Sequence, residues 1–215
     1  MELFETQVIS HKILGISGHL LRVPLLHEFN PGQVMGLGLK GLYPPRIYSI
    51  AGSDFKTWIE FLFDVRPEGF LSPKLAELKA GDVIQITKPF GAFLGSREPA
   101  WWIAGGTGIA PFKAMLDAGL IGNKTLVHGV RDPSNFYFYE AFEEALGSEY
   151  VRCCSGEKAE GCFNGRVTNY LEQLPELPSD IHYYLCGSAE MVVDTRDVLI
   201  ARGVLFNNIV AEIYF

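Results

Sequence analysis

Short apolar runs separated by glycine, proline and aspartate fill the first 97 residues of the chain. Examples are Val8-Ile9, Ile13-Leu14, Trp58 to Val65 and Val83 to Thr87. Runs of this length between turn residues are typical of antiparallel strands in a small barrel. Apolar residues at positions 71, 75 and 78, followed by Lys-Ala-Gly-Asp, predict one short helix from Ser72 to Leu78. We therefore predict an N-terminal antiparallel β-barrel domain over residues 1–97.

After a break at residues 95–99, short apolar runs alternate with longer amphipathic segments. The runs, interpreted as strands, are Trp101 to Ala104, Thr125 to Val130, Tyr150 to Cys154, Tyr183 to Cys186 and Ile209 to Tyr214. Helices are predicted to begin near Pro111, Tyr137, Val167 and Ala189. This alternation is the order of a parallel sheet with right-handed crossovers. We predict that residues 98–215 form a C-terminal α/β nucleotide-binding domain with a five-stranded parallel sheet.

Charge and composition narrow the class of protein. The chain is 48% apolar and 20% charged, which provides ample material for a packed core. A net charge of −7 argues against nucleic-acid binding, which needs clustered cations. Residues 1–97 hold ten Lys and Arg against nine Asp and Glu, a charge of +1, whereas residues 98–215 hold eight against sixteen, a charge of −8. An acidic partner would therefore prefer the first half.

The chain contains neither a membrane-spanning stretch nor metal-binding cysteine spacing. No apolar run reaches the roughly 20 residues that cross a bilayer, and the acidic start MELFETQ does not resemble a signal peptide. Cys153, Cys154, Cys162 and Cys186 form no C-x-x-C pair, so neither zinc nor an iron–sulfur cluster is implied. We expect a cytoplasmic monomer with free thiols, no bound metal and no membrane contact.

A glycine-rich turn, Gly105 to Pro111, directly follows the first predicted strand of the second domain. Glycines let backbone amides approach a phosphate, and the start of a following helix favours negative charge. Pro111 suits the first helical position, where no amide hydrogen is needed. The alternative is a tight strand-to-helix turn that binds no ligand.

Two segments of the first domain carry the groups that a flavin dinucleotide needs. Arg46 to Ser53 offers a guanidinium for a diphosphate, an aromatic ring for a planar ring system and a hydroxyl for a ring nitrogen. Gly69 to Leu75 contains a glycine and a serine, and we expect the serine to cap the short helix and create an anion site. A half-buried strand and an ordinary capped helix are the alternatives.

Six motifs together resemble the ferredoxin–NADP reductase family, especially its bacterial branch. They are R-I-Y-S, G-F-L-S-P-K-L, G-T-G-I-A-P, H-G-V-R, L-C-G-S-A-E-M and the ending A-E-I-Y-F. The motifs stand in the family's order with similar spacing and cover nearly the whole chain. The resemblance implies a reductase that holds FAD in its barrel domain and NAD(P) in its α/β domain.

The resemblance also implies roles for residues of the FAD site. Arg46 matches the arginine that meets the FAD pyrophosphate, Tyr48 the tyrosine that packs on the isoalloxazine, and Ser49 the serine that approaches its reactive N5. Tyr214 matches the aromatic residue that covers the other flavin face. The residues implied in FAD binding are Arg46, Ile47, Tyr48, Ser49, Leu62, Phe63, Asp64, Val65, Gly69, Phe70, Leu71, Ser72, Thr107, Tyr214 and Phe215.

By the same resemblance, Cys186 matches the cysteine near nicotinamide C4, and Glu212 belongs to the closing segment. Ser49, Cys186 and Glu212 are therefore the expected catalytic residues. They would tune orientation and electrostatics, because the cofactors supply the reactivity. The residues implied in NAD(P) binding are Gly106, Thr107, Gly108, Pro111, Val130, Arg131, Tyr139, Ser155, Arg166, Cys186, Gly187 and Met191.

The choice between NADP and NAD depends on the ends of the second and third predicted strands. An arginine there accommodates the 2′-phosphate of NADP, whereas an acid binds the free ribose hydroxyls of NAD, and this chain has both Arg131 and Asp132. NADP-dependent relatives usually carry Ser-Arg at the next strand end, where this chain has Ser155-Gly156. We predict that NADP(H) is preferred over NAD(H). Tyr139 resembles an adenine-stacking tyrosine, and a core-facing tyrosine is the alternative.

The family suggests ferredoxin or flavodoxin as the electron partner. Both are acidic, and candidate contacts in the first domain are Lys40, Arg46, Lys56 and Lys74. One alternative is a flavin reductase, or the reductase component of an oxygenase system. A more distant alternative is a non-catalytic nucleotide-binding electron-transfer subunit.

Overall fold

A computed structural model describes residues 2–214. Phe215, one of the residues implied in FAD binding, lies outside this range. The chain forms two compact units. The first unit contains the chain up to Gly95 together with Ala110–Ala118, and the second contains Ser96–Ile109 and the chain from Gly119 onward. The units are defined by packing in space, so the sequence boundary at residue 97 stays a prediction.

The first unit is built on seven antiparallel strands in the order β1-β7-β4-β5-β6-β3-β2. The strands are β1 (Phe4–Gln7), β2 (Ser10–Leu14), β3 (Gly18–Pro24), β4 (Val34–Leu39), β5 (Leu42–Ser53), β6 (Trp58–Asp64) and β7 (Val83–Ile86). One short helix, α1 (Ser72–Leu75), lies between β6 and β7. The prediction of an antiparallel barrel-type domain is confirmed.

The corner between β1 and β2 joins the two ends of this curled sheet. The Val8 amide donates to the Asp82 carbonyl at the start of β7, at 2.9 Å, and the Ile9 amide donates to the Arg22 carbonyl of β3, at 2.8 Å. The prediction of a strand at Val8-Ile9 is therefore wrong, because these residues form the turn between two strands. Val8 is nevertheless buried in the barrel core with Leu21, Phe61 and Ile84.

Strands β5 and β6 are paired over only part of their length. Ladder pairs join them from Ser53↔Ile59 to Ile50↔Phe61, with a register shift at that point. Beyond it, residues 46–49 of β5 pair with β4, and residues 62–64 of β6 pair with β3. The two strands therefore diverge on the side away from their hairpin.

The second unit contains a parallel sheet of six strands in the order β11-β10-β9-β8-β12-β13. The strands are β8 (Ala100–Gly105), β9 (Lys124–Val130), β10 (Tyr150–Cys154), β11 (Phe163–Asn164), β12 (His182–Ser188) and β13 (Ile209–Tyr214). The predicted α/β class is confirmed, but the count of five strands is wrong. The additional strand, β11, pairs with β10 through only two residues.

Four helices follow in the second half of the chain. They are α2 (Ala110–Asp117), α3 (Tyr139–Leu146), α4 (Val167–Gln173) and α5 (Ala189–Ala201). Each begins within two residues of its predicted start. Within residues 2–214, none is long and apolar enough to span a bilayer.

Helix α2 packs in the first unit, although it directly follows the first strand and turn of the second. Its Phe112 ring meets Phe93 edge-on at 5.8 Å between centroids. Its Asp117 carboxylate accepts a hydrogen bond from the Ser53 amide at 3.4 Å. The helix therefore has both apolar and polar contacts with the barrel.

Candidate nucleotide and flavin sites

The strand order of the second unit places a switch point between β8 and β12. From β8 the chain runs outward through β9, β10 and β11 on one side, and then returns to β12 and β13 on the other. In open α/β sheets, ligands bind at such a point, outside the carboxyl ends of the strands. Here those ends are the 3₁₀ turn Gly106–Ile109 after β8 and the segment Cys186–Ser188 of β12.

The glycines at this point allow two backbone segments to touch. A β-carbon built on Gly108 would lie 2.1 Å from the Cys186 carbonyl oxygen, and one on Gly187 would lie 3.2 Å from the Gly105 Cα. Met191 covers the back of the contact, since its Cε lies 2.9 Å and 2.5 Å from the β-carbon positions of Gly105 and Gly187. Larger residues at these positions would push the segments apart.

Gly106 differs from its neighbours in this turn. Its φ is +54°, in the left-handed region that favours glycine, and no atom lies within 4 Å of its β-carbon position. The turn is therefore packed on one side and open at Gly106. Such a surface admits a phosphate group against the backbone, so it fits a dinucleotide. Thr107, the next residue, lies in the same turn and is half-buried.

The structure brings Cys186, Glu212 and Tyr214 together at the ends of β12 and β13. Cys186 and Glu212 are directly paired across the two strands, and Tyr214 is paired with Ser188. The Cys186 thiol is fully buried. Burial and the charge of Glu212 raise its pKa well above the usual value, against a smaller opposing effect of a hydrogen bond to the Tyr214 side chain. Cys186 is therefore a neutral thiol.

His128 of β9, for which the sequence predicted no role, also contacts the glycine turn. Its side chain is completely buried. Nε2 lies 3.1 Å from the Gly106 carbonyl oxygen, and Nδ1 lies 3.2 Å from the Tyr150 hydroxyl. The H-G-V-R motif contained this residue, but a histidine in an apolar strand is indistinguishable by pattern from an ordinary core residue.

The residues predicted to distinguish NADP from NAD lie at the carboxyl ends of β9 and β10, on one side of the switch point. Val130 is buried, and its carbonyl accepts a hydrogen bond from the Ser155 amide at 3.0 Å, which holds the two strand ends together. Arg131 is exposed. A β-carbon on Gly156 would lie 2.2 Å from the Arg131 carbonyl oxygen, so glycine there permits a close backbone approach.

Asp132 is occupied by its own loop. Its carboxylate accepts hydrogen bonds from the amide and hydroxyl of Ser134, and these bonds lower its pKa. This Asx-type turn keeps the acid on residues 132–134.

Arg166 and Tyr139 have partners in the same unit. Arg166, at the start of α4, forms an ion pair with Glu190 at 2.8 Å. Tyr139 is the first residue of α3, and the Arg152 guanidinium carbon lies 4.6 Å from the centroid of its ring. Tyr139 is half-buried and packs against the Val130, Phe136 and Cys154 cluster. A ligand base could therefore use at most the ring face that Arg152 leaves open.

In the first unit, the implied flavin residues line the divergence of β5 and β6. Arg46 and Ile47 are exposed, whereas Ser49 is buried. Tyr48 meets Phe63 edge-on at 5.8 Å, and burial raises the pKa of its hydroxyl to about 12. Val65 directly follows Asp64, the last residue of β6. A guanidinium, an aromatic ring and a hydroxyl thus lie within four residues of β5, next to the point where its ladder with β6 ends, and this set of groups fits a flavin.

The loop Gly69–Ser72 differs from expectation. The serine does not cap helix α1, because the first turn begins after Leu71 with no side-chain cap, and the Ser72 hydroxyl accepts a hydrogen bond from the Arg66 amide at 2.9 Å. The Gly69 amide also donates to the Arg66 carbonyl, at 2.7 Å. Phe70 is exposed and Leu71 is in the barrel core. These bonds close residues 66–72 into a compact loop.

Pro111 is the second residue of α2, not the first, because the helix begins at Ala110. It is buried, and it belongs with α2 to the first unit. Its missing amide hydrogen is still harmless, because the first-turn amides of a helix have no intrahelical acceptor.

Comparison with known proteins identifies the class. Residues 102–197 match the oxidoreductase NAD-binding domain family. The computed structure resembles the crystal structure of a ferredoxin NADP+ reductase from Neisseria gonorrhoeae with bound FAD and NADP, at a TM-score of 0.89 and 21% identity over all of both chains. At that identity the likeness defines the fold. The protein is thus an oxidoreductase with a two-unit flavin-reductase fold.

Sequence relatives define the family. The chain is 31% identical over 201 residues to the flavodoxin/ferredoxin–NADP reductase of Escherichia coli, covering 82% of this chain and 80% of that protein. It is also 31% identical over 187 residues to the toluate 1,2-dioxygenase electron transfer component of Pseudomonas putida, covering 82% of this chain and 56% of that longer protein. The chain belongs to the flavodoxin/ferredoxin–NADP reductase family.

Proposed function

We propose that this protein is an FAD-dependent reductase that takes a hydride from NADPH and passes electrons singly to a protein acceptor. The observation that carries the proposal is the gathering of the open Gly106 turn, Cys186, Glu212 and Tyr214 at the switch point of the parallel sheet. In the overall reaction, NADPH loses a hydride to become NADP+, two one-electron acceptors are reduced, and one proton is released.

The residues of the first unit would hold FAD along the divergence of β5 and β6. Arg46 is exposed and offers a bidentate donor for a diphosphate. Tyr48 presents a ring steadied by Phe63, and Ser49 offers a hydroxyl at the point where the strands separate. The compact loop that ends at Ser72 would place the backbone of Phe70 and Leu71 near the diphosphate, while the Gly69 amide closes the loop. When bound, the flavin supplies the chemistry that couples a two-electron donor to one-electron acceptors.

The residues of the second unit would orient the nicotinamide. Gly106 and Gly108 keep the backbone close to the coenzyme diphosphate, while Gly187 and Met191 support the turn from behind. Because Cys186 is a neutral buried thiol, it acts by packing and orientation and does not attack the coenzyme. Glu212 contributes negative charge beside it. Exact placement of the reacting carbon accounts for a large part of rate enhancement in such reactions.

The strand ends favour NADPH over NADH. The Asp132 carboxylate is bound to Ser134, which leaves the exposed Arg131 as the charged side chain at the end of β9. Gly156 occupies the position where NADP-dependent relatives usually carry an arginine. It allows the Arg131 backbone to lie against the end of β10. Arg166 adds a second cation once it exchanges Glu190 for the 2′-phosphate.

Ferredoxin or flavodoxin is the proposed electron partner, on the basis of the Escherichia coli relative. The similarity to the toluate dioxygenase component supports a second candidate, the reductase of an oxygenase system. The two differ in acceptor, so stopped-flow reduction of purified ferredoxin, flavodoxin and an oxygenase component separates them. A cytoplasmic, monomeric protein stays our prediction.

One spectroscopic experiment tests the central proposal. Purified protein should show flavin absorbance, and anaerobic addition of NADPH should bleach it faster than NADH does. A colourless protein that gains no colour with added FAD would contradict the flavin assignment. A preference for NADH above tenfold, about 1.4 kcal/mol, would contradict the coenzyme assignment. A protein that binds FAD but oxidises neither coenzyme with ferricyanide would instead be a non-catalytic electron-transfer subunit.

A further inference from the structure

A buried hydrogen-bonded chain runs through three strands of the second unit to the glycine turn. It begins at the Tyr150 hydroxyl on β10, passes through the His128 ring on β9 and ends at the Gly106 carbonyl after β8. The His128 and Tyr150 rings are nearly parallel, with an interplanar angle of 21°, and Phe136 meets His128 edge-on. Three neighbouring groups thus restrict the imidazole to one orientation.

The chemistry of the three groups determines which atom donates and which accepts in each of these two hydrogen bonds. A carbonyl oxygen only accepts, so Nε2 of His128 must carry the hydrogen that goes to Gly106. In a neutral imidazole Nδ1 is then the acceptor, and the Tyr150 hydroxyl donates to it. Burial lowers the pKa of His128 to about 4 and raises that of Tyr150, so both groups are neutral near pH 7.

The bond to Gly106 controls the peptide that follows it. In a trans peptide the C=O and the N–H of the next residue point in opposite directions. Because the Gly106 carbonyl points to His128, the Thr107 N–H must point away from His128. Gly106 itself has a left-handed φ and open space at its β-carbon position, so no side chain at this residue helps to orient the peptide.

We infer that His128, held by Tyr150, is a positioning residue that orients the Gly106–Thr107 peptide with its N–H toward the diphosphate of the nicotinamide coenzyme. The inference rests on the proposed function, because it takes the diphosphate of NADP(H) as the group at the turn. His128 acts on the coenzyme through the main chain. It works as a neutral hydrogen-bond donor, without contributing positive charge.

The test measures coenzyme binding by calorimetry in full-length protein. Tyr150→Phe removes the hydroxyl that holds Nδ1 and keeps the ring. Tyr183→Phe is the matched control, because it also removes a tyrosine hydroxyl that is hydrogen-bonded, here to the Pro178 carbonyl at 2.7 Å. Tyr183 lies at the start of β12, whereas the switch point is at the end of that strand. His128→Leu removes the donor, and His128→Gln restores an N–H on a side chain of similar reach. The ligands are NADP+, which carries a diphosphate, and adenosine 2′-monophosphate, which carries none.

We expect His128→Leu to weaken NADP+ binding at least tenfold and Tyr150→Phe to weaken it about threefold to tenfold, a difference of about 0.7 to 1.4 kcal/mol for Tyr150→Phe. His128→Gln should recover most of the affinity, and Tyr183→Phe should leave it unchanged. Adenosine 2′-monophosphate should bind all variants within about twofold of the wild type, because it does not reach the turn.

Several results would overturn the inference. Equal losses for both ligands would mean a general structural role, as would equal effects of Tyr150→Phe and Tyr183→Phe. Unchanged NADP+ affinity in Tyr150→Phe would also contradict it, even where His128→Leu does not fold. If wild-type protein binds adenosine 2′-monophosphate but not NADP+, or neither ligand, the proposed function itself has failed, and that outcome is recognised before any variant is compared.

Discussion

Gly108 lies so close to Cys186 that a β-carbon on the glycine would be 2.1 Å from the cysteine carbonyl oxygen. The oxygen belongs to the main chain and the position of a β-carbon is fixed by the main chain, so neither atom can move away by changing a rotamer. The contact joins the turn after β8 to the end of β12, the two segments that flank the switch point. Any side chain at position 108 must separate these segments.

Gly108→Ala should therefore lower both stability and coenzyme binding. We expect a loss of about 1–3 kcal/mol in the free energy of unfolding, the usual cost of overpacking, measured in urea. NADP+ affinity should fall about tenfold in calorimetry. Gly122→Ala is the control, since nothing lies within 4 Å of its β-carbon position, and its effect should stay within about 0.5 kcal/mol. A Gly108→Ala protein as stable as this control would refute the contact.

Stability should depend on pH through His128. Its pKa is 6.5 for a solvent-exposed imidazole, as in the unfolded chain, and about 4 in the folded protein. The unfolded chain therefore binds the proton more readily. The stabilisation is fully present above pH 6.5 and decreases as pH falls toward 4, by about 3 kcal/mol in total.

The measurement is the free energy of unfolding of wild type and His128→Leu, from a pH above 6.5 down to about pH 4, the range between the two pKa values. Other titrating groups, including His19, whose pKa is also lowered by burial, contribute equally to both proteins. The wild-type curve should be steeper between pH 4 and 6.5. Parallel curves would show that the imidazole is not desolvated as described.

Coenzyme choice should depend on Arg131 and, more weakly, on Glu190. Arg131→Ala should lower kcat/KM for NADPH by about tenfold to a hundredfold, on the scale of a charge-assisted hydrogen bond, and leave NADH nearly unchanged. Glu190→Gln releases Arg166 from an exposed ion pair, which costs little to break, so NADPH should improve by at most about fivefold. Equal losses for both coenzymes in Arg131→Ala would place the 2′-phosphate elsewhere.

The four cysteines should differ in their reaction with iodoacetamide. Cys162 is partly exposed, whereas Cys153, Cys154 and Cys186 are buried. Partial burial raises the pKa of Cys162, so its labelling should be slow near pH 7 and accelerate as pH rises. Mass spectrometry of peptides should find native protein labelled at Cys162 first, and Cys186 only after unfolding. Early labelling of Cys186 would contradict its description as a neutral buried thiol.

Strands were predicted more accurately where a longer apolar run was not interrupted by glycine or proline. Strands β10 and β13 match their predicted bounds because each is a run of five or six mostly apolar residues between clear turns. Strand β4 was not individually predicted, since Gly36 and Gly38 interrupt its pattern, and only the part of β5 from Arg46 onward was interpreted as a strand, since the Pro44-Pro45 pair interrupts its start. Strand β11 has two residues, too few for any periodicity, and exists only through pairing with β10.

The site residues were predicted by motif and stay predictions, whereas a motif gives no information about their tertiary partners. The paired positions of Cys186 and Glu212 depend on the register of two strands separated by an entire helix. The ion pair of Arg166 with Glu190 and the contact of Arg152 with Tyr139 are likewise tertiary. The hydrogen bond of His128 to Gly106 was not predicted, because a polar residue in an apolar strand gives no sign of the carbonyl that it meets.

Helix α2 makes the two units difficult to exchange as modules. It follows the glycine-rich turn after β8 in the chain, yet its Phe112 and Asp117 contact Phe93 and Ser53 of the barrel. A chimera joined at residue 97 would inherit a helix whose buried face was shaped by another protein's barrel. Recombination within this fold therefore has to change the surface of α2 together with the barrel residues that contact it. This requirement limits how freely one α/β unit can be grafted onto another barrel unit.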